Sequence, residues 1–281
     1  MICDIIRKEI KEIAKTKRLL IIGILFCVAT TGWAVYSGHF LEQGPNEMIS
    51  SNLYSVVLMF VSLLALILAY DTIAGERDRG SLSLVFSKPV GRGRIFLGKF
   101  LGIFLFAGVL FLIVISFGYW LNAAISEEFP TASEVATAYK FFFAVLLLIA
   151  CWISFAMLFS TCFKSSAISL VTPLILWIMV LPMISEMPVV YYLMEQELMP
   201  TSFEVFHEMP ELGEVSFPMW VKLPFAVDPD LCIAELGGHL LGSSPYGASI
   251  LTMGQTIAAM AIFAGIFFIP AFLLFRRLSL E

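Results

Sequence analysis

The chain has 281 residues, of which 59% are hydrophobic and 14% charged, against roughly 45–50% apolar and about 25% charged in soluble domains. A soluble fold of this length would expose large apolar patches, so the bilayer is the expected solvent. A formal charge of −5 argues against a generally basic nucleic-acid binder, and no nucleic-acid partner is expected.

The first element is amphipathic. Ile2, Ile5, Ile6, Ile10 and Ile13 fall within about 140° of a helical wheel, with Arg7, Lys8, Lys11, Lys15 and Arg18 opposite. This pattern predicts an interfacial helix over residues 1–18 whose basic side chains meet anionic lipid headgroups. The apolar stretch that follows is too long for a signal-peptide core, and Phe26 before Cys27 does not fit a lipoprotein cleavage site.

Runs of about 20 apolar residues suffice to cross a bilayer. Six are read here: Leu19–Ser37, Asn52–Ile73, Phe96–Asn122, Phe141–Phe163, Ala167–Ile184 and Ile250–Phe275. The fold class is therefore all-α and polytopic, a single transmembrane domain over 1–281. Of the 17 Lys and Arg residues, 15 lie on the side of the two termini, and only Lys140 and Lys222 lie opposite. The positive-inside rule places both termini in the cytoplasm. Acidic residues divide the other way, seven inside and 15 outside. The outer segment 185–249 is acidic and broken by seven prolines from Pro188 to Pro245. Leu231–Leu241 forms a short helix there, at the surface or re-entering the membrane edge. Five cysteines are scattered through apolar blocks and both sides, and imply no disulfide framework.

Between the second and third spans, Leu82, Val85 and Phe86 stand at i, i+3 and i+4, which predicts a short helix over Ser81–Ser87 that Pro89 ends. The string Glu76-Arg77-x-x-Gly80-Ser81-Leu82, followed by Pro89-Val90, Arg92 and Gly98-Lys99, resembles the cytoplasmic signature of the ABC-2-type transporter permeases. Within that family it is similar to the permeases serving copper-site maturation of nitrous-oxide reductase. The resemblance implies that segment 74–95 carries a coupling helix docked on a separate ABC ATPase subunit. Glu76, Arg77, Asp78 and Arg79 would orient the contact by charge pairs, and Leu82, Val85 and Phe86 would fill a groove on the partner. It also implies a second permease copy, in a dimer. Against this stands the plainer possibility that Arg77, Arg79, Arg92 and Arg94 only set topology.

Gly93–Lys99 satisfies seven positions of a phosphate-binding P-loop string, but Phe100 replaces its Ser or Thr and a membrane span follows. ATP hydrolysis is thus expected in the partner, and this chain is not expected to be an enzyme. Gly98 with Gly102 fits the small-xxx-small pattern of close helix packing, either between copies or within one. Near the span centres there is no Asp, Glu, Lys, Arg or His, which weakens an ion-coupled carrier. Asp71 and Lys99, near two span ends, either pair with each other or reach separately to the headgroups. Met187, Met194, Met199, Met209 and Met219 with His207, His239 and Cys232 have no compact ligand spacing, so no metal or other cofactor is expected. Two alternatives stay open: an ATP-independent carrier or channel, and a membrane scaffold whose outer segment docks an extracytoplasmic protein.

Overall fold

Backbone groups in lipid have no water to bond, so a spanning chain has to satisfy them internally. Among the described residues of the computed structural model, 2–14, 17–49, 54–81, 91–196, 217–241 and 249–277, this is done with helices and no strand. Lys15 and the 82–90 segment, with Leu82, Val85, Phe86 and Pro89, lie outside the described residues, as does 197–216 with His207.

The amphipathic start forms α1 (Ile2–Ala14), and α2 (Lys17–Phe40) is the first span. A short turn of helix, α3 (Pro45–Met48), precedes α4 (Tyr54–Ala69) and its near-continuation α5 (Asp71–Asp78). Two long helices follow, α6 (Arg92–Ile125) and α7 (Ala132–Cys162). The fifth crossing is segmented into α8 (Ser166–Ile175), a π turn at Leu176–Val180, α9 (Leu181–Ser185) and α10 (Met187–Glu195). The segment between the fifth and sixth crossings contributes α11 (Met219–Phe225) and α12 (Pro229–Leu241), and α13 (Met253–Arg277) is the last crossing.

Six stretches among the described residues are long and apolar enough to cross a membrane, and they coincide with the six expected ones. Four run further than their apolar cores. The second continues to Asp78, the third begins at Arg92, the fourth begins at Ala132 and the fifth extends to Glu195, because backbone hydrogen bonding carries each helix past its apolar block. Proline and π geometry break the fifth: Pro173 lies inside α8, and Pro182 stands at the start of α9.

Spans two and four hold the centre. In each, 67% of the apolar stretch is buried inside the chain, against 17% in spans five and six. α7 begins with a capping box, in which the Thr131 hydroxyl accepts from the Glu134 amide while the Glu134 carboxylate accepts from the Thr131 amide. Its far half packs on α13 through Phe155 and Phe267, with ring centroids 4.8 Å apart. Polar side chains inside the spans are satisfied locally or across helices. Thr30 and Ser37 donate to carbonyls one turn back, and the Asn122 amide of α6 donates to the Ala34 carbonyl and the Ser37 hydroxyl of α2.

Candidate functional site

The polar chemistry of the bundle concentrates at its basic end, where α1, α5, α6 and the end of α7 meet. The helical ladder running from α4 into α5 is interrupted at Tyr70. The amides of Ile73 and Ala74 both donate to the Ser160 hydroxyl, at 3.0 Å each, and the Ser169 hydroxyl donates to the Tyr70 carbonyl at 2.9 Å. A side chain inserted into the ladder is one of the few causes of a helix break. Asp71 accepts from the Ser166 hydroxyl and lies 3.5 Å from Arg79. Three serines on α7 and α8 thus fix where α5 leaves span two.

Each element of the Glu76–Ser81 string has a distinct physical task. The Arg77 guanidinium donates to the carbonyls of Thr161, at 3.2 Å, and Phe163, at 3.1 Å. Carbonyls at a helix C-terminus lack partners within the helix and carry partial negative charge, so Arg77 caps α7 as well as neutralising its end. Gly80 has φ +68° and terminates α5. Its amide donates to the Arg77 carbonyl, and the Ser81 amide donates to the Glu76 carbonyl, the paired bonds of a Schellman motif. Glu76 faces inward, toward Lys99.

Lys99 is buried on α6. Its ammonium donates to Glu76 Oε1 at 2.9 Å, to the Thr72 carbonyl at 3.2 Å and to Glu9 Oε2 at 3.4 Å. Lys99 pairs therefore with Glu76 and Glu9, not with Asp71, and does not reach to the headgroups. Gly98 and Gly102 account for the approach of α1. A β-carbon on Gly98 would stand 2.6 Å from Cγ2 of Ile5, and one on Gly102 would stand 2.9 Å from Cβ of Glu9. The small-xxx-small pair serves packing within one chain. Burial pushes the Glu9 carboxyl up, and Lys99 beside it draws it back down.

The other predicted residues among the described ones lie on α1, α2 and α6. Arg92 donates to the Arg276 carbonyl at 3.3 Å, tying the start of α6 to the end of α13. Arg7, Lys8 and Lys11 lie on the exposed face of α1, with Lys8 3.1 Å from Glu12. Arg18 falls within α2. Gly93–Lys99 is helical throughout, inside α6, with no strand before it among the described residues.

A second polar centre was not anticipated. Asp230, from α12, accepts through Oδ1 from the Ser62 hydroxyl at 2.6 Å and from the Trp152 indole N–H at 3.0 Å. Through Oδ2 it accepts from the Trp177 indole at 2.7 Å. Trp152 stands eight residues from Ser160 along α7, about 12 Å, approaching half of a hydrocarbon core about 30 Å thick. The segment between spans five and six thus dips into the bundle and brings a carboxylate to spans two, four and five. The Asp228 side chain accepts from the Asp230 amide at 2.9 Å, and Pro229 opens the helix, an N-cap followed by proline at the first helical position. Glu235 Oε1 accepts from the Ile250 amide at 2.6 Å, and His239 Nε2 is 2.8 Å from the Leu251 carbonyl, so α12 is bonded to the entrance of span six. Cys232 is buried on the same helix. Cys232 is therefore engaged in packing, while His239 is exposed and hydrogen-bonded.

Two signals for these centres exist in the sequence. Glu9 interrupts the isoleucine face of α1 between Ile5 and Ile13. Trp152 and Trp177 each place an indole donor in an apolar span, where it requires an acceptor.

Six apolar helical crossings among the described residues define a polytopic helical membrane protein. The model of the ABC-2 family transporter protein matches residues 3–279, and the chain belongs to that family. Over 103 residues it is 41% identical to a probable ABC transporter permease protein NosY of Stutzerimonas stutzeri, an alignment covering 35% of this chain and 37% of that protein. Over 105 residues it is 35% identical to a probable ABC transporter permease protein NosY of Pseudomonas aeruginosa, covering 36% of this chain and 38% of that one. The chain thus matches little more than a third of the length of these relatives.

Proposed function

We propose that the chain is the permease subunit of an ABC transporter, moving a substrate across the cell membrane with energy from a separate ATPase subunit. The observation that carries this is the tethering of α5, whose Arg77 caps span four and whose Glu76 meets Lys99 of span three. A displacement of the segment beyond Gly80 acts on both spans and, through Glu9, on α1. Both termini and segment 74–95 face the cytoplasm. There Leu82, Val85 and Phe86 fill a groove on the ATPase, and Pro89 ends the docking helix. Arg92 holds the returning chain against α13. The basic face of α1, with Arg7, Lys8, Lys11, Lys15 and Arg18, lies against anionic headgroups.

A second permease copy completes the path, and hydrolysis belongs to the ATPase, so this chain is not itself an enzyme. The 185–249 segment faces outward and follows the motion because Asp230 binds α12 to three spans. Replacing Val85 and Phe86 by glutamate tests the assignment. The variant should insert normally and fail to co-purify an ATPase; undiminished co-purification would count against the coupling role.

A further inference from the structure

The start of α6 and the end of α13 meet where spans three and six end. Arg92 donates to the Arg276 carbonyl, and Gly93 permits the approach, since a β-carbon there would stand 3.1 Å from Cζ of Phe272. An open groove of about 510 Å³ runs along this seam. Arg92, Arg94 and Arg276 line it together with the apolar side chains of Leu97 and Phe272, and no carboxylate does so among the described residues. Neither α6 nor α13 contains an Asp or Glu, and the sequence has none between Asp78 and Glu127.

Elsewhere at this end of the bundle the chain supplies its own counter-charges. Lys99 meets Glu76 and Glu9, Arg79 meets Asp71 and Lys8 meets Glu12. The groove is different. The C-terminus of α13 brings about half a negative charge and the N-terminus of α6 about half a positive one, so the two helix ends cancel and three full positive charges remain. Such charges repel one another unless an anion joins them, and the bilayer edge screens them less than water does. Arg94 and Arg276 are exposed, and the Arg276 guanidinium carbon lies 5.7 Å from the centre of the Phe272 ring, where the ring face favours a cation.

We infer that this groove binds an anionic phospholipid, its phosphate accepting from Arg94 and Arg276 and an acyl chain lying along Leu97 and Phe272. Guanidinium groups match phosphate oxygens in pairs, and the apolar wall at a span end selects a lipid over free phosphate. A choline lipid brings a cation with its phosphate and leaves the excess charge in place. The inference requires only that spans three and six end at the membrane surface, and does not depend on the ATPase-coupling role.

The test is native mass spectrometry of the purified full chain released from nanodiscs of equimolar phosphatidylglycerol and phosphatidylcholine with matched acyl chains. Wild type should retain phosphatidylglycerol in preference. Arg94→Gln and Arg276→Gln should each lower that retention about fivefold, the value of one arginine beside an anionic surface. A control pair, Lys164→Gln with Arg277→Gln, removes as much exposed charge from outside the groove lining and should leave most of the lipid bound. As a second measurement, phosphatidylglycerol added in detergent should raise the denaturation midpoint of wild type more than that of Arg94→Gln/Arg276→Gln. Inorganic phosphate at millimolar concentration should not displace the lipid. Equal retention of the two lipids by wild type, or a preference unchanged in the groove variants, overturns the site. Equal losses in the groove and control pairs would show diffuse attraction and overturn it as well. Displacement by inorganic phosphate overturns the lipid as the source of the anion.

Discussion

Lys99 and Glu76 meet at 2.9 Å inside the chain, one on the third span and the other on the short helix that prolongs the second. Glu9 joins them from α1 at 3.4 Å, so one ammonium holds three elements distant in sequence. Removing one partner of a buried ionic group strands the others and typically costs about 3–5 kcal/mol. Lys99→Met should therefore lower stability by that order, read from the denaturation midpoint in detergent. Adding Glu76→Gln and Glu9→Gln to the same chain should recover most of the loss. Additive losses would show that the three groups do not act as a unit.

Gly98 is where α1 presses hardest, since a β-carbon there would stand 2.6 Å from Ile5. Overpacking of this kind costs about 1–3 kcal/mol, and α1 is the element free to yield. Gly98→Ala should loosen α1 while leaving the spans in place. Faster proteolysis within residues 1–18, with unchanged protection elsewhere, is the expected result, and an unaltered cleavage pattern would refute the close contact.

Gly80 stands apart from this crowding, with no atom within 4 Å of the place its β-carbon would occupy. Its need is conformational, because φ is +68°. A left-handed residue other than glycine costs about 1–2 kcal/mol, less for asparagine. Gly80→Ala should weaken ATPase co-purification more than Gly80→Asn does, by redirecting the chain that leaves α5. Equal effects of the two would argue that space, not backbone conformation, matters there.

Asp230 accepts from two tryptophans and a serine on three different spans. Asp230→Ala leaves all three donors without their acceptor, each at about 1–3 kcal/mol, and should release α12 from the bundle. Cys232, buried on that helix, reports the release once Cys3, Cys27, Cys151 and Cys162 have been replaced. Maleimide labelling of Cys232 from the side opposite the termini should rise in the variant. Continued protection would mean that α12 is held by other contacts.

The architecture could be read early because the bilayer imposes it: twenty apolar residues are needed to cross, and six blocks of them were visible. Arg77 and Gly80 also stood out in the sequence, as members of the family string, but their tasks did not. Which carbonyls Arg77 caps depends on where α7 ends, 86 residues further along, and no local pattern records that distance. Lys99 was visible as a charge near the end of a span, yet its partners lie on α1 and α5. Asp230 was hidden more deeply. It sits in an acidic, proline-broken stretch that reads as an external loop, and only the tertiary path of α12 carries it between Trp152 and Trp177.

The central claim is that α5 transmits force through Arg77 to the end of span four. It is tested most directly by measuring ATPase stimulation with wild type and Arg77→Gln in the same membranes. Loss of charge-assisted bonds worth about 1.5–3 kcal/mol should leave the ATPase bound and cut its stimulation by about tenfold or more. Full stimulation by Arg77→Gln, with the ATPase bound as before, would contradict the account.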